Sequence, residues 1–191
     1  MDQKKKIMYL RDYIKWTKQI DEYKDSPSLA NPNAWGFKLL GKIQTPKLEN
    51  LGQPTAGSEG YSSLRHDLLT KWARATWPFL KCLDAKIQIQ LPNEDCRPHL
   101  DFLGYYLEQV CESLPGLKNI SHSLHRPGID VWRLFVAIDD QIDGQRFVIN
   151  NNDWSWNAGD CIRLNNWQAL HWTQNNSQVA RSIIKITGIK T

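Results

Sequence analysis

Ala85-Lys86-Ile87-Gln88-Ile89-Gln90-Leu91 alternates apolar and polar residues one by one, which is the period of a strand with one apolar and one polar face. Pro92-Asn93-Glu94-Asp95 follows and supplies turn chemistry. Directly beyond it stands Arg97-Pro98-His99-Leu100-Asp101. Residues i and i+2 of an extended segment point to the same side, so His99 and Asp101 present a nitrogen and an oxygen side by side. The pair is expected just after a strand, at a loop mouth.

Further along, Val131-Trp132-Arg133-Leu134-Phe135-Val136-Ala137-Ile138 reads as another strand, and strands dominate from there on. Ala169 to Gln174 and Val179 to Thr187 are β-compatible runs separated by Asn175-Asn176-Ser177. Asn tolerates the left-handed conformation short loops need, so a hairpin is expected. A three-residue loop would set His171 directly opposite Arg181, with Cβ atoms about 4.5–5.5 Å apart on one face. Two imidazoles and one carboxylate with open positions form the ligand set of a non-haem Fe(II) site. A guanidinium beside such a metal offers a planar, permanently charged fork for the far carboxylate of a ligand chelated at its other end.

Upstream the periodicity changes to helical. Ile7, Leu10, Ile14, Thr17 and Ile20 recur at helical spacing within Lys4 to Tyr23, with charges on the other face. Asp25 to Gln53 reads as a long connection in which Trp35-Gly36-Phe37-Lys38-Leu39-Leu40 supplies a short strand or a pocket edge. Leu64, Leu68, Trp72, Ala75 and Phe79 restore the helical period, with Ser62 or Ser63 as N-cap. Helices followed by strands argue for an α+β fold: a β-sandwich core with helices packed on one outer face. The expected organisation is one catalytic domain over 1–191, with 1–84 mainly helical scaffold and 85–191 the core.

Taken in order, the series from Ile87 to Gly188 resembles the Fe(II)/2-oxoglutarate-dependent oxygenases. Within them it is closest to the aspartyl/asparaginyl β-hydroxylase-like branch, which includes some free proline hydroxylases. The resemblance rests on the strand and turn leading to His99 and Asp101, Arg133 near the start of its strand, Trp154-Ser155-Trp156-Asn157-Ala158-Gly159-Asp160, and His171 with Asn175 and Arg181. It implies a double-stranded β-helix, or jelly roll, in which His99, Asp101 and His171 bind Fe(II). It also implies that Arg181 pairs with the distal carboxylate of 2-oxoglutarate and that Arg133 lies near this co-substrate. The implied reaction uses O2 to hydroxylate an unactivated C–H, yielding succinate and CO2, with an amino acid, free or in a peptide, as substrate. Halogenases of this class carry a small residue in place of the carboxylate ligand, so Asp101 favours hydroxylation. Phe102 to Asp130 reads as an insertion without counterpart, and with the Trp35 region it is the candidate for shaping substrate choice.

Composition fits this class. The chain has 191 residues, 41% hydrophobic and 23% charged, enough for one domain with a sizeable core. Lys4-Lys5-Lys6 is followed by no apolar run of secretory type, and no stretch has transmembrane length. Cys82, Cys96, Cys111 and Cys161 lack paired spacing, so reduced thiols and a cytoplasmic location are expected. The net charge of +4 raises the question of nucleic acid, but the lysines concentrate in the N-terminal helix as a solvated face would. Nine tryptophans, among them Trp35, Trp132, Trp154, Trp156, Trp167 and Trp172, offer pocket walls or core filler. His122 and His125, at i, i+3, form a rival metal pair, and Cys96 reads as a buried small residue rather than a fourth ligand. Two other readings stand beside the oxygenase: a jelly-roll metal enzyme that does not use 2-oxoglutarate, and a non-catalytic binding module.

Overall fold

The computed structural model describes residues 36–46, 55–56, 62–99, 130–164 and 169–190. The expected helix at Lys4–Tyr23, Trp35, Asp101, the stretch 102–129 with His122 and His125, and Trp167 lie outside them. Eleven strands and one helix are described, in the order β1 (Phe37–Lys42), β2 (Thr55–Ala56), β3 (Ser62–Arg65), α1 (Asp67–Thr76), β4 (Leu80–Gln90), β5 (Glu94–His99), β6 (Asp130–Ala137), β7 (Gln145–Ile149), β8 (Asn152–Asp153), β9 (Asp160–Leu164), β10 (His171–Asn175) and β11 (Arg181–Lys190). They form a seven-stranded sheet ordered β1-β9-β6-β11-β4-β3-β2 and a four-stranded sheet ordered β5-β10-β7-β8. All pairings are antiparallel. Two antiparallel sheets packed face to face, with a helix on one outer face, make the jelly-roll core expected from the sequence.

The strand at residues 85–91 has the predicted alternation, with its sides assigned by packing. Ala85 and Ile87 are buried with Leu134, Val136, Cys161, Ile184 and Ile186 beneath Leu69, Ala73 and Trp77. The apolar face of β4 is therefore the outer, helix-covered one. Its polar residues Lys86, Gln88 and Gln90 stand opposite Lys185, Ile183 and Arg181 of β11, on the side that faces the other sheet. Between the sheets lies a second apolar cluster of Phe135, Ala137, Phe147, Ile149, Trp154, Trp156, Ile162, Leu164, Ala169 and Ile183.

Residues 36–84 depart from the helical scaffold expected for 1–84. Among the described residues three strands and the start of β4 lie there beside α1, and β1 closes one edge of the large sheet by pairing with β9. Ser62 and Ser63 belong to β3 rather than capping a helix. The cap of α1 is His66, whose Nδ1 accepts the Leu68 backbone N–H at 3.1 Å. An imidazole nitrogen thus does what a serine hydroxyl would have done. Phe79 lies beyond the helix and is 40% exposed, edge-on to Trp132.

The largest correction concerns β10 and β11. Both are strands, but they form no hairpin: β10 pairs with β5 and β7, whereas β11 lies between β4 and β6 in the other sheet. Both edges of β11 are taken, which suits a strand carrying Ile183, Ile184, Ile186 and Ile189 buried on its two sides. Residues 176–180 instead carry the chain from one sheet to the other. The Pro92-Asn93 turn does the same between β4 and β5, with Asn93 at φ 62°. Asn175 joins the two crossings: its Nδ2 donates to the carbonyls of Gln90 and Val179, and its own carbonyl accepts from the Asn93 N–H at 2.6 Å. This is the closed end of the sandwich.

Gly159 anchors β1. It sits at φ +83°, and a Cβ there would come 2.9 Å from the Ile43 carbonyl oxygen. Only glycine allows the Ile43 N–H to reach the Gly159 carbonyl at 2.7 Å.

Candidate functional site

His99 closes β5, and His171 opens β10 directly opposite it. The register explains how an edge strand containing proline delivers this histidine. From Thr173 to His171 is a step of two residues on β10, whereas the partners Cys96 to His99 step by three on β5. The extra residue is a bulge, a position that tolerates Pro98 because no ladder N–H is required there. Without the bulge, parity would place Cys96 and Pro98 on one face. With it, Cys96 and His99 share the face turned toward the large sheet. His99 thus ends the strand instead of following it.

The two imidazoles lie with ring centroids 4.4 Å apart. Each is held in the same way. Nδ1 of His99 lies 2.8 Å from the Arg97 carbonyl oxygen, and Nδ1 of His171 lies 2.8 Å from that of Ala169. A carbonyl only accepts, so each Nδ1 carries a proton, and in the neutral ring the lone pair is on Nε2, across the ring. This fixed tautomer is what a metal-binding histidine requires. His171 is 3% exposed, and its ring lies 6.0 Å from those of Phe135 and Phe147. The Cys96 thiol is 3.5 Å from His99 Nδ1, on the protonated side of the ring and away from Nε2. That position suits the small buried residue expected of it. Among the described residues no third histidine, cysteine or carboxylate joins the pair in a metal-sized cluster; Asp101 lies outside them.

Arg181 does not oppose His171, as the hairpin would have required. It opens β11 on the facing sheet, opposite Gln90. The two residues are nevertheless linked across the interior through one shared ring. The Arg181 guanidinium carbon is 5.6 Å from the Phe147 ring and 5.9 Å from that of Trp156, and Phe147 is the ring that also contacts His171. Arg181 is buried, and its Nε and Nη1 have no hydrogen-bond partner. Burial pushes it down from 12.5 to about 10, with a smaller opposing contribution from the Cys96 thiol. A buried cation with unused donors is costly unless an anion meets it.

Arg133 lies on β6 opposite Thr187, to whose hydroxyl its Nη1 donates at 2.6 Å. Thr187 shares the parity of Arg181 along β11, so Arg133 is buried on the interior face, three inward positions from Arg181 on the neighbouring strand. Lys185, which no sequence motif marks, occupies the same face and is 4% exposed, with Nζ 5.8 Å from the Phe135 ring. Its signal was available: it stands at i+4 from Arg181 in a strand of period two. Of the tryptophans, Trp154 and Trp156 line this interior, their rings 5.4 Å apart. Trp132 lies on the other side under Arg163, and Trp172 is half-buried beneath Arg146.

No family model and no curated protein matches this sequence. Solved structures do match in fold. HygX from Streptomyces hygroscopicus, determined with nickel, 2-oxoglutarate and hygromycin B bound, superposes with a TM-score of 0.57 at 14% identity, covering 85% of this chain and 86% of that one. The non-heme alpha ketoglutarate dependent epimerase SnoN from nogalamycin biosynthesis gives 0.55 at 9% identity, covering 85% and 79%. The carbocyclase SnoK from the same biosynthesis, likewise non-heme and alpha ketoglutarate dependent, gives 0.52 at 11%, covering 87% and 84%. The likeness is one of fold, a jelly roll shared with two alpha ketoglutarate dependent enzymes of differing reactions and with a protein determined with 2-oxoglutarate bound. Nothing among them singles out the aspartyl/asparaginyl hydroxylase-like branch.

Proposed function

We propose that the protein is an Fe(II)/2-oxoglutarate-dependent dioxygenase that hydroxylates an unactivated C–H of an amino acid, free or within a peptide. The observation that carries this reading is the placement of a paired, tautomer-fixed His99 and His171 on one sheet and an anion-seeking Arg181 on the other, joined through Phe147. His99, His171 and, two residues beyond His99, Asp101 would hold the metal, leaving positions for a keto acid and O2. When bound, iron with 2-oxoglutarate and O2 supplies oxidative decarboxylation to succinate and CO2 and the oxidising power for C–H hydroxylation.

The chain's own share is positioning and exclusion. The backbone carbonyls of Arg97 and Ala169 fix the two rings. Arg181 orients the far end of the keto acid through a charge-assisted fork that a lysine would not reproduce. Phe135, Phe147, Trp154 and Trp156 keep water from the space between, which strengthens the pull of the guanidinium on a carboxylate. Arg133 lies on the same interior face. Phe102 to Asp130 remains the candidate for substrate choice.

Anaerobic reconstitution with Fe(II) and 2-oxoglutarate, followed by O2 and succinate measurement, tests the reading. Slow succinate release without added substrate is expected for the native chain, and loss of iron uptake in His99→Ala. Absence of iron binding by the native chain would sink the proposal. Turnover without keto acid would favour a jelly-roll metal enzyme of another kind.

A further inference from the structure

Gln90 is the last residue of β4 and is fully buried at 0% exposure, yet neither its Oε1 nor its Nε2 has a hydrogen-bond partner. Directly opposite it on β11 is Arg181, with two donors equally unused. Opposed residues share a face with Cβ atoms about 4.5–5.5 Å apart, so the orphaned groups occupy one small region of the interior. The backbone does not call for an amide side chain there, because the Gln90 carbonyl that accepts from Asn175 Nδ2 would be offered by any residue. An orphaned buried amide destabilises a folded chain, and an apolar side chain would fill the place at less cost. Three donor-bearing atoms in one dry region, with no described carboxylate on Arg181 to use them, describe a prepared seat for an oxyanion with several acceptor sites.

We propose that Gln90 is a second anchor for the co-substrate, its Nε2–H donating to the same distal carboxylate that Arg181 grips. This rests on the proposed function and adds to it a residue that acts on one end of the keto acid only. The amide's Oε1 is then placed to accept from a remaining guanidinium N–H, so that Arg181, Gln90 and the carboxylate satisfy one another. Keto acids ending in a carboxylate are preferred over those ending in a methyl group for this reason.

The test compares 2-oxoglutarate with pyruvate, which has the same chelating end and no distal carboxylate. Binding to the Fe(II)-loaded full chain is measured anaerobically by calorimetry for the native protein, Gln90→Leu and Gln90→Glu. Loss of one hydrogen bond to a charged group weakens 2-oxoglutarate roughly ten- to a hundredfold in Gln90→Leu, while pyruvate affinity and iron stoichiometry stay as in the native chain. The unliganded melting temperature of Gln90→Leu stays level or rises, since an unsatisfied amide has been removed. Gln90→Glu, of nearly the same size, weakens 2-oxoglutarate at least as much by charge repulsion. Equal losses for both keto acids, or native 2-oxoglutarate affinity in Gln90→Leu, would overturn the role of Gln90 alone. Failure of the native chain to bind 2-oxoglutarate would overturn the functional reading and this inference together.

Discussion

The two faces of the large sheet carry different kinds of side chain although they share the same strands. Along β11, Ile184 and Ile186 turn outward to meet Leu69, Ala73 and Trp77. Arg181, Ile183, Lys185 and Thr187 turn inward, joined by Gln90 and Arg133 from the strands alongside. All are buried. The outer face is packed to be stable, and the inner face keeps polar groups whose burial costs stability. The difference teaches where the chain gives up folding energy, and hence where it is prepared to meet something else.

Substitutions break this contrast in opposite directions. Arg181→Leu removes a buried charge and should lower 2-oxoglutarate affinity about a hundredfold or more, with a melting temperature equal to or above that of the native chain. Calorimetry and thermal melts check the two halves, and a lower melting temperature with unaltered affinity would make Arg181 a structural ion. Ile184→Ala, three residues away on the opposite face, should cost about 2–5 kcal/mol in denaturant unfolding. The folded fraction of that variant should bind iron and keto acid as the native chain does.

A titratable group on the outer face sharpens the contrast further. Cys161 is buried within the helix-covered cluster, and burial pushes its thiol up from 9.0 to about 12. The unfolded chain therefore loses this proton at lower pH than the folded one. The stability contributed by the neutral thiol is fully present below pH 9 and is lost as pH rises through 9 toward 12. Unfolding curves between pH 8 and 11 should show a steeper decline for the native chain than for Cys161→Ala, by up to a few kcal/mol. Parallel slopes would mean that the thiol ionises as freely in the fold as outside it. The smallest effect lies at the helix itself: His66→Ala removes the N-cap acceptor and should cost about 1 kcal/mol, read as a shift in denaturant midpoint at unchanged slope.

Much of the strand framework around the candidate site was legible before the fold. The alternation at 85–91 announced β4, and Pro92-Asn93 announced the turn that follows it. His171 and Arg181 were both placed at strand positions, where the structure has them. What stayed hidden was partnership. Asn175-Asn176-Ser177 has the composition of a hairpin turn, and local chemistry does not distinguish a turn within a sheet from a crossing between two sheets. Only the burial of β11 on both faces and the occupation of both its edges decide the matter. Gln90 was invisible for a related reason: its alternation with Ile89 gives two faces but not which of them is interior. His66 is not a residue type that composition marks as a cap, since serine, threonine, aspartate and asparagine dominate that position.

The rivet at Asn175 gives the closed end a metrological role. One amide ties the last residue of β4 to the crossing that leads into β11, and its own strand begins with His171. That amide holds the two sheets together at this end. On the proposed function, with iron at the histidines and the keto acid reaching to Arg181, the spacing of the sheets would act as a gauge for keto-acid length. Homologues of 2-oxoglutarate one methylene shorter or longer would then be told apart by how well they span that fixed distance.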